Sequence, residues 1–117
     1  MSRSRVSVRA TLADAAPAFA ALGDKTRLNI VARLCARGPQ SIVRLSDGAR
    51  VTRQAVTKHL HALSQAGLVR STRAGRERIW EIQTKRIAEV RRSLDQISDQ
   101  WDEAIGRLRA LVEKEER

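Results

Sequence analysis

Residues 51–67 read VTRQAVTKHLHALSQAG, and this stretch decides the fold. Val56, Leu60 and Leu63 recur at i, i+4 and i+7, the spacing that aligns side chains on one helical stripe facing a core. Thr52 stands at the N-cap position, where a hydroxyl accepts from the free backbone N–H groups of the first turn. Gly67 stands where a left-handed residue ends a helix. Arg53, Gln54, Thr57, Lys58 and His61 fall at i, i+1, i+4, i+5 and i+8. They gather on one outward face, with donors suited to base edges and phosphates.

On the N-terminal side, Ser41 opens a short helix with Ile42 and Leu45 inward, and Asp47-Gly48 breaks it a few residues before Thr52. Two short helices joined by a tight, Gly-containing turn, the second basic on its outer face, form a helix-turn-helix arrangement. Further upstream, Asp24 caps a helix whose Leu28, Val31, Ala32 and Cys35 share an inward face, and Gly38-Pro39 stops it. Leu12, Ala15, Ala16, Phe19 and Leu22 predict a short first helix ending at Gly23, with Asp14 as its cap and Pro17 in its first turn. Residues 1–10 show no helical periodicity and are expected as a flexible basic tail, so the folded domain is expected over residues 11–117.

On the C-terminal side the period changes. Leu68–Arg73 is β-prone, Ala74-Gly75 reads as a turn and Arg76–Ile82 as a returning strand, together a β-hairpin. A hairpin directly after a basic helix is a wing. Its Arg73, Arg76 and Arg78 cluster at or near the tip, where they reach phosphates or a minor groove beside the site met by the helix. The plainer alternative is edge charge that keeps a hairpin soluble. From Thr84 onward Gly106 is the only Gly or Pro. Ile87, Val90, Leu94, Ile97, Trp101, Ile105, Leu108 and Leu111 run at spacings of three and four along it, predicting a long amphipathic helix. At ~1.5 Å per residue it extends about 45 Å, more than a small domain needs to cover its own core. Self-association accounts for the surplus, because a symmetric dimer buries the stripe and presents two helix-turn-helix units to a palindrome. The expected fold is mainly α with a small β-hairpin wing, in the order α-α-α-α-β-β-α.

Composition agrees. The chain has 117 residues, enough for one domain with a real core, and a formal charge of +10 with a sequence pI near 11.4. Its natural partner is a polyanion, double-stranded DNA ahead of an anionic membrane surface. Nine Lys and Arg face two acids over residues 50–86, whereas six face eight over residues 87–117. The excess therefore sits on the capped helix and the hairpin. The single cysteine, Cys35, excludes an internal disulfide and argues for a reducing, cytoplasmic setting. Its position on the inward stripe reads as a small core hydrophobe rather than a reactive thiol. No apolar run approaches the ~20 residues of a membrane span. An enzyme is the least supported class: there is no phosphate loop, no plausible metal cluster and no nucleophile with a placed base.

Two motifs carry a family resemblance. Leu22-Gly23-Asp24-Lys25-Thr26-Arg27-Leu28-Asn29-Ile30-Val31 resembles the LGDPTRLRIL signature of the ArsR/SmtB family of bacterial winged-helix repressors. Val56-Thr57-Lys58-His59-Leu60-His61-Ala62-Leu63 with Gln65-Ala66-Gly67-Leu68-Val69 resembles that family's recognition helix, VSxHLxxLxxAGLV, and Gly75-Arg76 with Trp80 resembles its wing. The resemblance covers roughly residues 12–110. It implies a homodimer through the first and last helices, here Leu12 and Phe19 with Ile97, Trp101, Ile105 and Leu108, which binds a partly palindromic operator and represses transcription.

The departures bear on what is sensed. Metal sensors of the family carry a Cys-x-Cys pair in the third helix, but Ile42-Val43-Arg44-Leu45-Ser46-Asp47 has no thiol. The family's other site needs His in the last helix, and no His follows His61; carboxylates alone suit zinc or nickel poorly. His59 and His61, two apart on a helix, point apart; His59 matches the family's structural histidine. The resemblance thus implies a member without metal or other cofactor, with an unidentified small-molecule effector left open. Thr52, Arg53, Gln54, Thr57, Lys58 and His61 are the expected major-groove residues, with the wing arginines on adjacent backbone. A repressor switched through Cys35 by oxidation or a soft metal is the alternative reading, and a winged-helix protein- or RNA-interaction module is a weaker one.

Overall fold

The computed structural model describes residues 2–48 and 50–116. Helix α1 spans Ser2–Leu22, α2 Lys25–Arg37, strand β1 Gln40–Ser41, α3 Ile42–Ser46, α4 Arg53–Gln65, β2 Val69–Ala74, β3 Glu77–Ile82 and α5 Thr84–Glu116. The caps read from the sequence are in place. Asp24 accepts from the Arg27 N–H at 3.0 Å, Ser41 Oγ from the Arg44 N–H at 3.3 Å and Thr52 Oγ1 from the Ala55 N–H at 3.1 Å. Each oxygen satisfies one of the four N–H groups that a helix start leaves without an intrahelical partner. Gly67 follows α4 with φ +79, where a side chain would be strained.

The core gathers around α4. Val56, Leu60 and Leu63 are buried together with Leu45 of α3, Leu34 of α2, Leu68 and Val69 at the base of the hairpin, and Trp80 of β3. Truncating Leu60 to Ala should cost about 2–5 kcal/mol, because the removed methyl groups leave a cavity that the neighbours fill only in part. That is a large share of the ~5–15 kcal/mol that holds a typical domain together.

Strands β2 and β3 pair antiparallel from Val69 opposite Ile82 to Ala74 opposite Glu77. The connecting turn is Gly75-Arg76, one residue later than the expected Ala74-Gly75. Gly75 has φ +66, and a two-residue hairpin places its left-handed glycine first in the loop. The sheet has a third member that the sequence did not disclose: β1 pairs with β3, Gln40 opposite Trp80 and Ser41 opposite Ile79, in the order β1-β3-β2. Two residues between Pro39 and a helix are too few to show an alternating pattern.

Three helical expectations are corrected. Helical backbone includes residues 2–10 in place of the expected tail, because the segment holds neither Gly nor Pro to stop α1. Asp14 and Pro17 consequently lie inside the helix rather than at its start. The α1 stripe is Ala15, Ala18 and Ala21, with Leu12, Phe19 and Leu22 half-buried and Ala16 exposed. In α2 the inward residues are Ile30, Val31 and Leu34; Leu28, Ala32 and Cys35 are exposed. Two overlapping stripes fitted that sequence. The one containing Arg27 prevails because its guanidinium finds polar partners at the core margin. Cys35 is therefore not a core residue but an exposed thiol.

Helix α5 lies against α1 with its first turns only, burying Val90 and Ser93. Ser93 is fully buried, and its hydroxyl donates to the Glu89 carbonyl one turn back at 3.2 Å. Beyond Gln96 the helix runs out from the body, and the molecule measures 70 × 30 × 20 Å.

Candidate nucleic-acid interface

Helix α4 offers a continuous polar face. At 100° per residue, Arg53, Gln54, Thr57, Lys58 and His61 fall within an arc of about 140°, away from the Val56–Leu60–Leu63 stripe. Arg53, Gln54, Lys58 and His61 are exposed and Thr57 is half-buried. Thr57 Oγ1 donates to the Arg53 carbonyl at 2.8 Å, which orients the side chain and leaves its lone pairs and methyl outward. Thr52 is committed to the helix as its cap, so it reaches a phosphate only through its remaining O–H.

His61 has a second neighbour. Its ring meets Trp80 edge-on, with centroids 5.9 Å apart and planes at 88°. Trp80 is buried in the central strand. Alternate residues of a strand share a face, and residues directly opposite in an antiparallel pair share it too. The face of the hairpin that carries Trp80 therefore also carries Ser71, Arg73 and Arg78 further out. This aligns Arg73 and Arg78 with the outward side of α4, with His61 as the link.

Arg73 and Arg78 are register partners. Two guanidinium groups directly opposite repel, a cost of a few tenths of a kcal/mol to about 1 kcal/mol. Among the described residues neither has a carboxylate partner; Arg78 donates instead to Ser71 Oγ at 3.0 Å. Arg76 is exposed in the turn. Arg70, on the other face, differs: it is paired with Glu81 at 2.7 Å.

Helix α4 is anchored by arginines. Arg27 Nε donates to His59 Nδ1 at 3.2 Å and Nη1 to the Ala21 carbonyl at 3.5 Å, joining α2, α4 and the end of α1. His59 Nδ1 is thus the acceptor of a bond that joins α2 to α4. Asp24 Oδ2 lies 4.0 Å from that nitrogen. The Arg27 backbone N–H, followed by the charges of His59 and Arg27, holds the Asp24 carboxyl below its ordinary value. At the other end of α4, Arg86 Nε donates to the Ala66 carbonyl at 3.1 Å, Nη2 to the Asp14 carbonyl at 2.7 Å and Nη1 to Glu89 at 2.9 Å. One side chain of α5 thereby ties down α4 and α1 together.

Several contributors escaped the sequence reading. Arg86 reads as one more charge on an amphipathic helix, because the two carbonyls it ties, those of Ala66 and Asp14, are distant in sequence. Arg50 is exposed in the turn before α4 and adds to the basic surface; the local charge excess was the only signal for it. The six residues expected at a dimer contact divide into two groups. Leu12 and Phe19 are half-buried within the protomer, whereas Ile97, Trp101, Ile105 and Leu108 are uncovered, Trp101 at 67 % and Leu108 at 62 % exposure. Among the described residues no group of three His, Cys, Asp or Glu is placed to hold a metal ion, and no helix is long and apolar enough to cross a membrane.

Comparison with known proteins gives four concordant likenesses. A family model described as a helix-turn-helix domain matches residues 22–72. The chain is 36% identical over 98 residues to the HTH-type transcriptional regulator Rv2034 of Mycobacterium tuberculosis, covering 84% of this chain and 88% of that one. An ArsR-like transcriptional regulator from Rhodococcus sp. RHA1 superposes with a TM-score of 0.73 at 36% identity, covering 87% of this chain and 95% of the other. A homodimeric winged helix-turn-helix DNA-binding domain from Mycobacterium bovis superposes with a TM-score of 0.61 at 25% identity, over 83% and 86% of the two chains.

Proposed function

Because the chain belongs to the ArsR-like family of winged helix-turn-helix transcriptional regulators, we propose that it is a cytoplasmic, sequence-specific repressor that binds a partly palindromic operator as a homodimer without a metal. The observation that carries this reading is the continuity from α4 to the wing. His61 against Trp80 brings the polar face of α4 into line with the cross-strand pair Arg73 and Arg78, whose mutual repulsion an anion between or beside them relieves. Gln54, Thr57 and His61 meet base edges in the major groove, while Thr52, Arg53 and Lys58 hold its rim and Arg73, Arg76 and Arg78 the adjacent backbone.

The homodimer is supported by the uncovered stripe Ile97, Trp101, Ile105 and Leu108 on a helix longer than its own core needs, with Leu12 and Phe19 of α1 left half-buried in the protomer. Metal independence is supported by the donor set: one cysteine and two histidines, one of which already accepts from Arg27. Occupation of a promoter by such a dimer excludes polymerase, which is the proposed mode of repression.

Selection of bound fragments from the source genome followed by titration of the recovered duplex tests the reading. Nanomolar, sequence-dependent binding is expected, with Gln54→Ala or Thr57→Ala eroding discrimination between duplexes and Arg76→Ala lowering affinity for all of them alike. Binding without sequence preference that vanishes at modest salt would sink it. One observation favours a second reading: Cys35 is exposed, so a switch by oxidation or a soft metal is sterically open. It requires that Cys35→Ser abolish any effect of oxidant on DNA affinity.

A further inference from the structure

The outer part of α5 repeats its apolar residues with a stricter period than a surface helix needs. Leu94, Trp101 and Leu108 stand seven apart, and Ile97, Ala104 and Leu111 each follow one of them by three. This is the apolar repeat of a two-stranded coiled coil, sustained over residues 94–111, about 27 Å of helix. Ala104 is half-buried and the other five are exposed in the protomer. The repeat is also bounded. Upstream, Val90 and Ser93 are buried. Downstream, Glu113 opens a charged end.

A second copy can cover this stripe in two directions, and side-chain size separates them. In an antiparallel two-fold pair each residue meets a different one, and the meeting is reciprocal. With the two stripes laid over each other end to end, Leu94 meets the partner's Leu111, Ile97 meets the partner's Leu108 and Trp101 meets the partner's Ala104. The central layers then set the largest side chain against the smallest, which fills each layer without a void or a clash. In a parallel pair every layer repeats itself. Trp101 meets the partner's Trp101 in an overfilled layer, and Ala104 meets the partner's Ala104 in an underfilled one.

Charge separates the directions in the same sense. It alternates in blocks along the helix: Arg91 and Arg92, then Asp95 and Asp99, then Arg107 and Arg109, then Glu113, Glu115 and Glu116 around Lys114. Antiparallel, the first block lies beside the partner's fourth and the second beside the partner's third, opposite signs in both cases. Asp102 and Glu103 at the centre are the exception. Parallel, every block lies beside its like. A single exposed pair contributes little, but here the difference in sign runs the length of the contact.

We propose that α5 pairs with the same helix of a second copy as an antiparallel coiled coil over residues 94–111, with each Trp101 seated over Ala104 of the partner subunit. The two-fold axis passes between Asp102 and Glu103. This rests on the homodimer reading and adds to it the direction and register of the contact. The two bodies lie at opposite ends of the paired helices, each beside the partner's acidic tip.

The test uses the full chain. Sedimentation of the unaltered protein comes first: a monomer at about micromolar concentration would overturn both the homodimer and this pairing. On a Cys35→Ser background, Leu94→Cys and Leu111→Cys are made singly, mixed, equilibrated and mildly oxidised. The mixture should yield about tenfold more disulfide-linked dimer than either variant alone, because only the antiparallel register sets the two positions face to face. Linkage within each variant alone, and not between them, would leave the dimer standing and overturn its direction. A dimer with no linkage in any tube would overturn the stripe as the contact. Exchange of volume at the centre is the second readout. Ala104→Trp opposes two tryptophans in each central layer and should weaken dimerisation by about tenfold. Adding Trp101→Ala restores one large residue per layer and should return the affinity to within about threefold of the unaltered chain. No recovery in the double variant, with its helical signal intact, would overturn the seating of Trp101 on the partner's Ala104.

Discussion

Arg73→Ala separates stability from binding in one experiment. In the free protein Arg73 faces Arg78 across the hairpin and has no carboxylate among the described residues. Removing it relieves a like-charge opposition of roughly 0.5 kcal/mol, which in a domain of this size raises the unfolding temperature by about 2 °C or leaves it unchanged. On the proposed interface the same arginine would neutralise a phosphate of the duplex. Each phosphate contact contributes about 0.9 to the slope of log affinity against log salt, and a dimer carries the residue twice, so the slope should shrink by about 1.8. Over a fourfold rise in salt from 50 to 200 mM, that is roughly 12-fold less loss of affinity than the unaltered protein suffers. Fluorescence anisotropy with a labelled operator at four salt concentrations measures the slope, and a thermal melt measures stability. Arg70→Ala is the internal control: Arg70 is already paired with Glu81. Its loss should leave the slope unchanged and lower stability by less than about 1 kcal/mol. An unchanged slope for Arg73→Ala, or an equal change for Arg70→Ala, would falsify the assignment of the Trp80-bearing face to DNA. A change of about 0.9 instead of 1.8 would mean that one subunit binds alone.

Other perturbations probe the supporting parts. Arg86→Ala removes two charge-assisted bonds to backbone carbonyls of different helices; it should destabilise by about 2–4 kcal/mol in urea unfolding, against less than about 1 kcal/mol for Glu89→Gln, and equal effects would refute the anchoring role. Trp101→Glu or Leu108→Glu, both exposed in the protomer, should leave the helical signal intact and weaken dimerisation by more than about 100-fold in sedimentation, since a symmetric interface receives each unpaired carboxylate twice. The folded state holds the Asp24 carboxyl below its ordinary value of 3.8, so its contribution is present above that value and is lost as pH falls through the depressed one. Melts of the native chain and Asp24→Asn should therefore diverge above about pH 5 and converge in stronger acid; parallel curves would show that the cap is not ionised when it acts.

Much of this molecule is legible in its sequence. The spacing of Val56, Leu60 and Leu63, the caps Asp24, Ser41 and Thr52, and the glycines at 38, 67 and 75 are local signals. Each acts over a few residues of backbone, so a linear reading recovers the helices, their ends and the hairpin, and places five polar side chains on one face of α4. The same local reading cannot choose between overlapping stripes. On α2 it put Leu28 and Cys35 inward, whereas the fold buries Ile30 and Leu34 because Arg27 must reach His59 and the Ala21 carbonyl. Nor can it stop α1 where no Gly or Pro intervenes, or reveal a two-residue strand whose only evidence is its pairing with β3.

What the sequence alone determined is the order of elements and the chemistry displayed on α4 and the wing, because periodicity, capping and turn formation are decided by neighbours along the chain. Tertiary structure alone decided three things. It set the His61 ring edge-on against Trp80 and so joined α4 to the wing, routed Arg86 across α1 and α4, and brought Arg33, Arg37 and Arg44 to one cleft. These contacts join residues distant in sequence, and only the packing of the whole core brings their polar atoms within hydrogen-bonding range.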